Sequence, residues 1–216
     1  MTATPAADTP VAAAYNQWAA QYDLDRNPTR DLDALVLPQA LGHLRPHSTL
    51  ETGCGTGKNT TFLASISQRL LAVDFSPGML AVAAARTLPS NVQLAQWDLL
   101  QPWPVADASV DLVACSLVLE HIDDLRPYFA EAARVLAPGA HLWVCELHPY
   151  EQYNGSQARF TAASGNTVKV AAFTHHISDF TSTAAAFNVR LAALNEWCHA
   201  DETGAPPRLV SFLFQR

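Results

Sequence analysis

Three glycines spaced two apart, Gly53, Gly55 and Gly57, follow the apolar stretch ending Leu50-Glu51-Thr52 and precede a helical stretch from Asn59 to Ser67. Without Cβ atoms there, a strand can reverse sharply into a helix. Backbone N–H groups and the helix N-terminus can then approach a ligand closely. This is nucleotide-binding chemistry, and the spacing separates its kinds. A phosphate loop of the G-x-x-x-x-G-K-[ST] type needs glycine at Thr52 and a hydroxyl at Asn59, and has neither. A G-x-G-x-x-G dinucleotide turn needs its third glycine at Lys58. An acidic residue followed by G-x-G-x-G is met in full by Glu51, Gly53, Gly55 and Gly57.

Asp74 lies 21 residues after Gly53, at the end of the next apolar run. A carboxylate there can accept hydrogen bonds from both hydroxyls of a ribose and would repel a 2′-phosphate. Further on, Ser116 to His121 closes a nearly unbroken apolar run from Asp111, and Glu146 and His148 close another from His141. If these runs are parallel strands, their carboxyl ends face the ligand crevice. His121, Glu146 and His148 are therefore candidate general bases. Glu146, His148, His175 and His176 could in principle hold a metal, but no helical H-x-x-x-H or H-E-x-x-H spacing supports one, and no metal is assigned. Cys54, Cys115, Cys145 and Cys198 form no C-x-x-C pair and read as small core residues.

The Glu51 to Gly57 pattern resembles the first motif of the class I (Rossmann-like) S-adenosylmethionine-dependent methyltransferases. Asp74-Phe75-Ser76-Pro77-Gly78-Met79-Leu80 resembles their second motif, and Ser116-Leu117-Val118-Leu119-Glu120-His121 the fourth-strand motif of the small-molecule branch containing the ubiquinone/menaquinone-type enzymes. Trp18-Ala-Ala-Gln-Tyr22-Asp is similar to their lid, and Ala137-Pro138-Gly139 to their helix stop. The resemblance implies a doubly wound, seven-stranded, mostly parallel α/β sheet with its last strand antiparallel, and S-adenosylmethionine as cofactor. It places Glu51, Gly53, Cys54, Gly55, Gly57, Asp74, Phe75, Ser76, Met79, Ser116, Leu117 and His121 around the ribose and methionine parts. Asp98 would take the adenine amine, with Trp97 and Leu99 as apolar wall, and Tyr15, Trp18 and Tyr22 would close as a lid. The acceptor would meet His121, Glu146, His148, Tyr150, His175 and His176. Two rivals stay open: an NAD-linked oxidoreductase, which would still use Asp74, and a cofactor-binding regulator without transferase activity.

The elements that must position these groups are legible from periodicity. Tyr15, Trp18, Ala19 and Tyr22 fall on one face of a helix from Val11 to Tyr22, and a second helix runs from Thr29 or Arg30 to Leu41, interrupted at Pro38. Ser76 and Pro77 open a helix as N-cap and first residue. Ala158 to Ala162 and Thr167 to Phe173, around Ser164-Gly165-Asn166, read as a β-hairpin. The chain divides into a disordered lead-in (1–10), a helical lid (11–46), a cofactor-binding core (47–150), a substrate-side insertion (151–177) and the end of the core sheet (178–216). Since the predicted cofactor groups precede residue 122, the insertion is expected to be separable from cofactor binding.

With 216 residues the chain suits one α/β domain with a small appendage. A net charge of −7 and no Lys/Arg cluster argue against a nucleic-acid substrate and for a small-molecule acceptor. No apolar run approaches the roughly 20 residues that span a bilayer. Without a basic-then-apolar leader, a cytoplasmic monomer or homodimer is expected.

Overall fold

The computed structural model describes residues 9–162, 164–199 and 204–216. Its strands are β1 (Ser48–Thr52), β2 (Arg69–Asp74), β3 (Val92–Gln96), β4 (Val110–Ser116), β5 (Leu136–Leu147), β6 (Arg159–Thr161), β7 (Thr167–Lys169), β8 (Arg190–Trp197) and β9 (Leu209–Gln215). Seven of them form one sheet in the order β3-β2-β1-β4-β5-β9-β8, and β6 pairs with β7 alone. β1 to β5 are mutually parallel, and β9 runs antiparallel to both β5 and β8. This is the α/β architecture that the motifs imply, with the last strand reversed.

The helices are α1 (Pro10–Trp18), α2 (Pro28–Leu41), α3 (Thr60–Ile66), α4 (Pro77–Ala84), α5 (Arg126–Val135), α6 (Pro149–Tyr153) and α7 (Ile177–Ala186), with a 3-10 turn at Leu119–His121. They cover both faces of the sheet, which explains the unbroken apolar run of β4. Val113 and Cys115 pack into the layer of α5 and α7, while Leu112 and Ala114 pack into the layer of α2 and α3. A strand covered on both faces is apolar through its middle, and the polar residues of β4, Asp111 and Ser116, stand near its ends. A third, smaller cluster joins Ala14 and Trp18 of α1 to Phe160, Ala162 and Val170 of the insertion.

Several boundaries differ from the sequence expectation for identifiable reasons. α1 stops at Trp18 rather than Tyr22, because the Trp18 indole N–H donates to Asp25 (2.9 Å) and the Tyr22 carbonyl is taken by the Arg30 guanidinium. α2 runs through Pro38 without interruption, so the proline costs one helical hydrogen bond and no turn. The hairpin strands are shorter than expected: Val170 still donates to the Ala158 carbonyl (2.9 Å), but from Ala171 on the chain bonds to residues 120–122 instead. The expected lead-in lies outside the described residues except for Thr9, which caps α1, and Pro10, its first residue. Among the described residues no helix is long and apolar enough to cross a membrane.

Candidate active site

The glycine turn is tied to the end of β2. Gly53 and Cys54 donate their N–H groups to the Val73 carbonyl (2.8 and 3.0 Å), and Gly55 donates to the Asp74 carboxylate (2.8 Å). The other Asp74 oxygen accepts the Ser76 N–H (2.8 Å) at the start of α4. Asp74 thus joins the turn to a helix N-terminus. Burial nevertheless raises its carboxyl to about 6, because the backbone donors of Ser76, Gly55 and Phe75 offset only part of the desolvation. Glu51 takes the Thr60 hydroxyl (2.6 Å), and burial pushes it up to about 8.

The three glycines do different things. All have positive φ, at 71°, 54° and 79°. A Cβ at Gly53 would strike Val118 Cγ2 at 2.3 Å, and one at Gly57 would press on Ala83 Cβ at 3.3 Å. A Cβ at Gly55 would meet nothing within 4 Å. Gly55 therefore faces open space that a side chain would fill, as a cradle for a ligand requires.

That space belongs to a cavity of about 210 Å³ over the carboxyl ends of β1, β2 and β4. Tyr15, Tyr22, Glu51, Gly53, Cys54, Gly55, Asp74, Phe75, Met79, Trp97, Asp98, Leu99, Ser116, Leu117 and His121 all line it. Trp18, Gly57 and Ser76 are outside its wall. Trp18 stacks on Phe160 (5.1 Å between centroids, 15° between planes), and Ser76 caps α4 while donating to Asn16 of α1 (2.7 Å). Both hold the lid in place.

The later acceptor residues are not brought together. One Glu146 oxygen accepts the N–H groups of Val118 (3.0 Å) and Leu119 (2.9 Å), so this carboxyl anchors the turn after β4 rather than lining the cavity. Burial pushes it up to about 8. His148 is occupied at both nitrogens, by Glu196 (2.9 Å) and by the Tyr150 N–H (3.0 Å). His175 lies 2.8 Å from the Ile122 carbonyl, His176 bonds to the Tyr153 hydroxyl, and Tyr150 is exposed outside the cavity wall. Of the candidate bases, only His121 reaches the cavity, with Nε2 2.8 Å from the Tyr15 hydroxyl.

Other lining residues escaped the sequence reading. Arg30 and Asp33, one turn apart on α2, are both buried and line the cavity. The Arg30 guanidinium lies 3.8 Å over the Tyr22 ring and donates to the carbonyls of Tyr22 and Asp25. One Asp33 oxygen accepts from Asn59 (2.6 Å), while the other is buried without a partner. The sequence signal was only an arginine and an aspartate three apart on one helical face; their burial is known from the structure. The lid is also clasped to the glycine turn: Thr56 donates to Asp23 (2.9 Å), Arg86 pairs with Asp23 (2.5 Å), and Lys58 pairs with Asp31 (2.9 Å).

Comparison with known proteins agrees with this geometry. A family model described as a methyltransferase domain matches residues 50–144. An uncharacterised methyltransferase of Emericella nidulans is 30% identical, over 94% of this chain and 84% of that protein. A malonyl-[acyl-carrier protein] O-methyltransferase of Hahella chejuensis is 38% identical over 61% of this chain, which spans about half (47%) of that protein. The fold matches that of a DhpI–SAH complex with a TM-score of 0.75 at 22% identity, over 95% of this chain and 94% of that one. With an acidic glycine turn, a strand-end carboxylate and a matching relative along nearly its whole length, the chain belongs to the class I S-adenosylmethionine-dependent methyltransferases.

Proposed function

We propose that the protein methylates a small molecule whose attacking atom carries a proton, and that the acceptor sits against Tyr15, Val118, His121 and Ile122. The observation that carries this reading is that one cavity is lined both by the glycine turn with Asp74 and Asp98 and by the Tyr15–His121 pair. S-adenosylmethionine supplies an electrophilic methyl group, taken by an acceptor lone pair in an in-line displacement. The protein's part is to hold, orient and deprotonate. Asp74 is placed for the ribose hydroxyls and Asp98 for the adenine amine, with Trp97 and Leu99 as wall. Arg30 and Asp33 offer charges complementary to the carboxylate and ammonium of the methionine part, and Gly55 leaves the room it needs.

His121 Nε2 acts as base through the Tyr15 hydroxyl, which gives its hydrogen to Nε2 and takes the acceptor's. Burial holds the Tyr15 phenol well above its usual value, so it remains neutral while relaying. The modest volume of the cavity, about 210 Å³, supports a small acceptor. Free thiols at Cys54, Cys115, Cys145 and Cys198 support residence in a reducing compartment such as the cytoplasm.

Calorimetric titration with S-adenosylhomocysteine and NAD in parallel, followed by a transfer screen over phenols, carboxylic acids and amines, tests the reading. Heat from S-adenosylhomocysteine alone and transfer that His121→Ala abolishes are expected. Transfer undiminished in His121→Ala would overturn the role of the pair.

A further inference from the structure

His121 is held at both ring nitrogens, and its two partners are chemically unequal. Nε2 lies 2.8 Å from the Tyr15 hydroxyl, and Nδ1 lies 2.7 Å from the Ala171 carbonyl oxygen. A hydroxyl can donate or accept, so Tyr15 does not choose the tautomer. A carbonyl can only accept, so Nδ1 must carry the hydrogen. In the neutral ring Nε2 is then the nitrogen with the free lone pair. An unconstrained histidine side chain favours the opposite arrangement, with hydrogen on Nε2, which would leave Tyr15 facing a donor. The Glu120 carboxylate, 3.8 Å from Nε2, lies beyond hydrogen-bond distance and does not decide between them.

Ala171 belongs to the 151–177 insertion, in the stretch between β7 and α7. Three alternate residues of that stretch meet three consecutive residues of the turn after β4. The Ala171 carbonyl meets the His121 ring, the Phe173 N–H donates to the Glu120 carbonyl (2.7 Å), and the His175 ring lies 2.8 Å from the Ile122 carbonyl. Upstream, Val170 is 1% exposed in the cluster with Trp18 and Phe160, so the stretch is also anchored to the lid. Backbone and ring bonds of this kind fix the carbonyl's direction.

We propose that this strap of the insertion sets the tautomer of His121, with the Ala171 carbonyl as the positioning group that keeps hydrogen on Nδ1 and the lone pair on Nε2. The role rests on His121 as the acceptor's base. During transfer the acceptor's proton passes to the Tyr15 oxygen while the Tyr15 hydrogen passes to Nε2. The acceptor–methyl bond forms as the methyl–sulfur bond breaks, and its electron pair stays on sulfur. Nδ1–H remains on the Ala171 carbonyl throughout. The insertion thereby governs the reactive nitrogen and not only the acceptor's wall.

The test is nitrogen NMR of the 216-residue chain labelled with 15N-histidine, at alkaline pH, with His121→Ala to assign the signals. Wild type should show a protonated Nδ1 and a lone-pair Nε2. Replacing the Ala171–Ala172 amide by an ester, through lactic acid at position 172, weakens the carbonyl as acceptor and should move population towards Nε2–H. Phe173→Pro, which removes the donor to Glu120, should shift it in the same direction while S-adenosylhomocysteine affinity stays within about threefold. If the ester variant fails to fold, Phe173→Pro decides. Nε2–H in wild type, or an unchanged tautomer in the folded variants, would overturn the inference. A silent S-adenosylhomocysteine titration alongside the expected tautomer would instead remove the reading of the cavity and leave the tautomer assignment in place.

Discussion

Gly53 and Val118 are packed so closely that a Cβ on the glycine would stand 2.3 Å from Val118 Cγ2, whereas two residues on, Gly55 has nothing within 4 Å of the same construction. The two glycines of one motif therefore answer to different constraints. Gly53→Ala should lower the melting temperature, because it adds a clash to the ~1–2 kcal/mol cost of a left-handed alanine. Adding Val118→Ala should recover part of that loss. Gly55→Ala bears only the backbone cost and should fold, yet lose S-adenosylhomocysteine affinity by calorimetry. Normal affinity in Gly55→Ala would take the turn out of the cofactor site.

The contrast marks what a sequence can carry. Gly53, Gly55, Asp74 and Asp98 are legible because a strand–turn–helix succession fixes their direction locally. Glu146 was rightly placed at a strand tip, but strand position does not say whether a carboxylate meets open cavity or the unpaired N–H groups of the next turn. Arg30 and Asp33 were missed because helical spacing alone does not tell a charged face in solvent from one folded over a cavity. The insertion's link to the lid was equally hidden: Trp18 and Phe160 are 142 residues apart in the sequence, and no local pattern couples them.

Asp74 gives a pH dependence with a defined sign. Burial raises its carboxyl to about 6, and ribose hydroxyls would donate to the ionised form. S-adenosylhomocysteine affinity should be flat above that value and fall by up to about tenfold per pH unit below it. Asp74→Asn should bind more weakly at pH 7.5, by about 1.5–3 kcal/mol, and lose the acid dependence. An acid limb that persists in Asp74→Asn would assign it to another group.

Glu146 is pushed up to about 8 and is therefore neutral at pH 7, accepting two N–H bonds through one oxygen. A folded value above the unfolded one means that its stabilisation is complete below the unfolded value, near 4.3, and is lost as pH rises through about 8. Glu146→Gln keeps an acceptor in place and cannot ionise, so cofactor affinity and turnover should be close to wild type, while stability should match wild type at about pH 4 and exceed it at pH 7. Its unfolding free energy should fall less steeply between about pH 5 and 8, by up to about 1.4 kcal/mol per unit. Glu146→Ala, which strands both donors, should cost about 2 kcal/mol. A folded Glu146→Gln variant with turnover reduced a hundredfold would restore a catalytic role.

The insertion packs on the lid, so its expected separability from cofactor binding turns on what that contact holds. Phe160 stacks on Trp18 of α1, and α1 in turn supplies Tyr15 to the cavity. Phe160→Ala should cost about 3 kcal/mol locally. Hydrogen exchange should then accelerate in α1 and residues 167–173 while the sheet stays protected. Unchanged exchange in α1 would show that the stack does not hold the lid.

Arg30 and Asp33 bear on how the amino-acid end of the cofactor is held. They lie one helical turn apart on the face of α2 that lines the cavity, where residues three apart are neighbours. Arg30 is 8% exposed, with its guanidinium over Tyr22 and its hydrogen bonds directed at backbone carbonyls, neither of them a counter-charge. Asp33 is 4% exposed and keeps one oxygen without a partner. Burial raises the Asp33 carboxyl against the pull of Lys58, and Arg30 meets only carbonyls and a ring face, so a zwitterionic ligand end would satisfy both groups at once. Arg30→Gln and Asp33→Asn should each weaken S-adenosylhomocysteine by about 1.5–3 kcal/mol, the range for charged hydrogen bonds. Methylthioadenosine, which keeps adenine, ribose and sulfur but lacks the amino-acid end, should bind both variants within about threefold of wild type. Equal losses for the two ligands would mean that Arg30 and Asp33 support the fold of the lid and do not read the cofactor's charges.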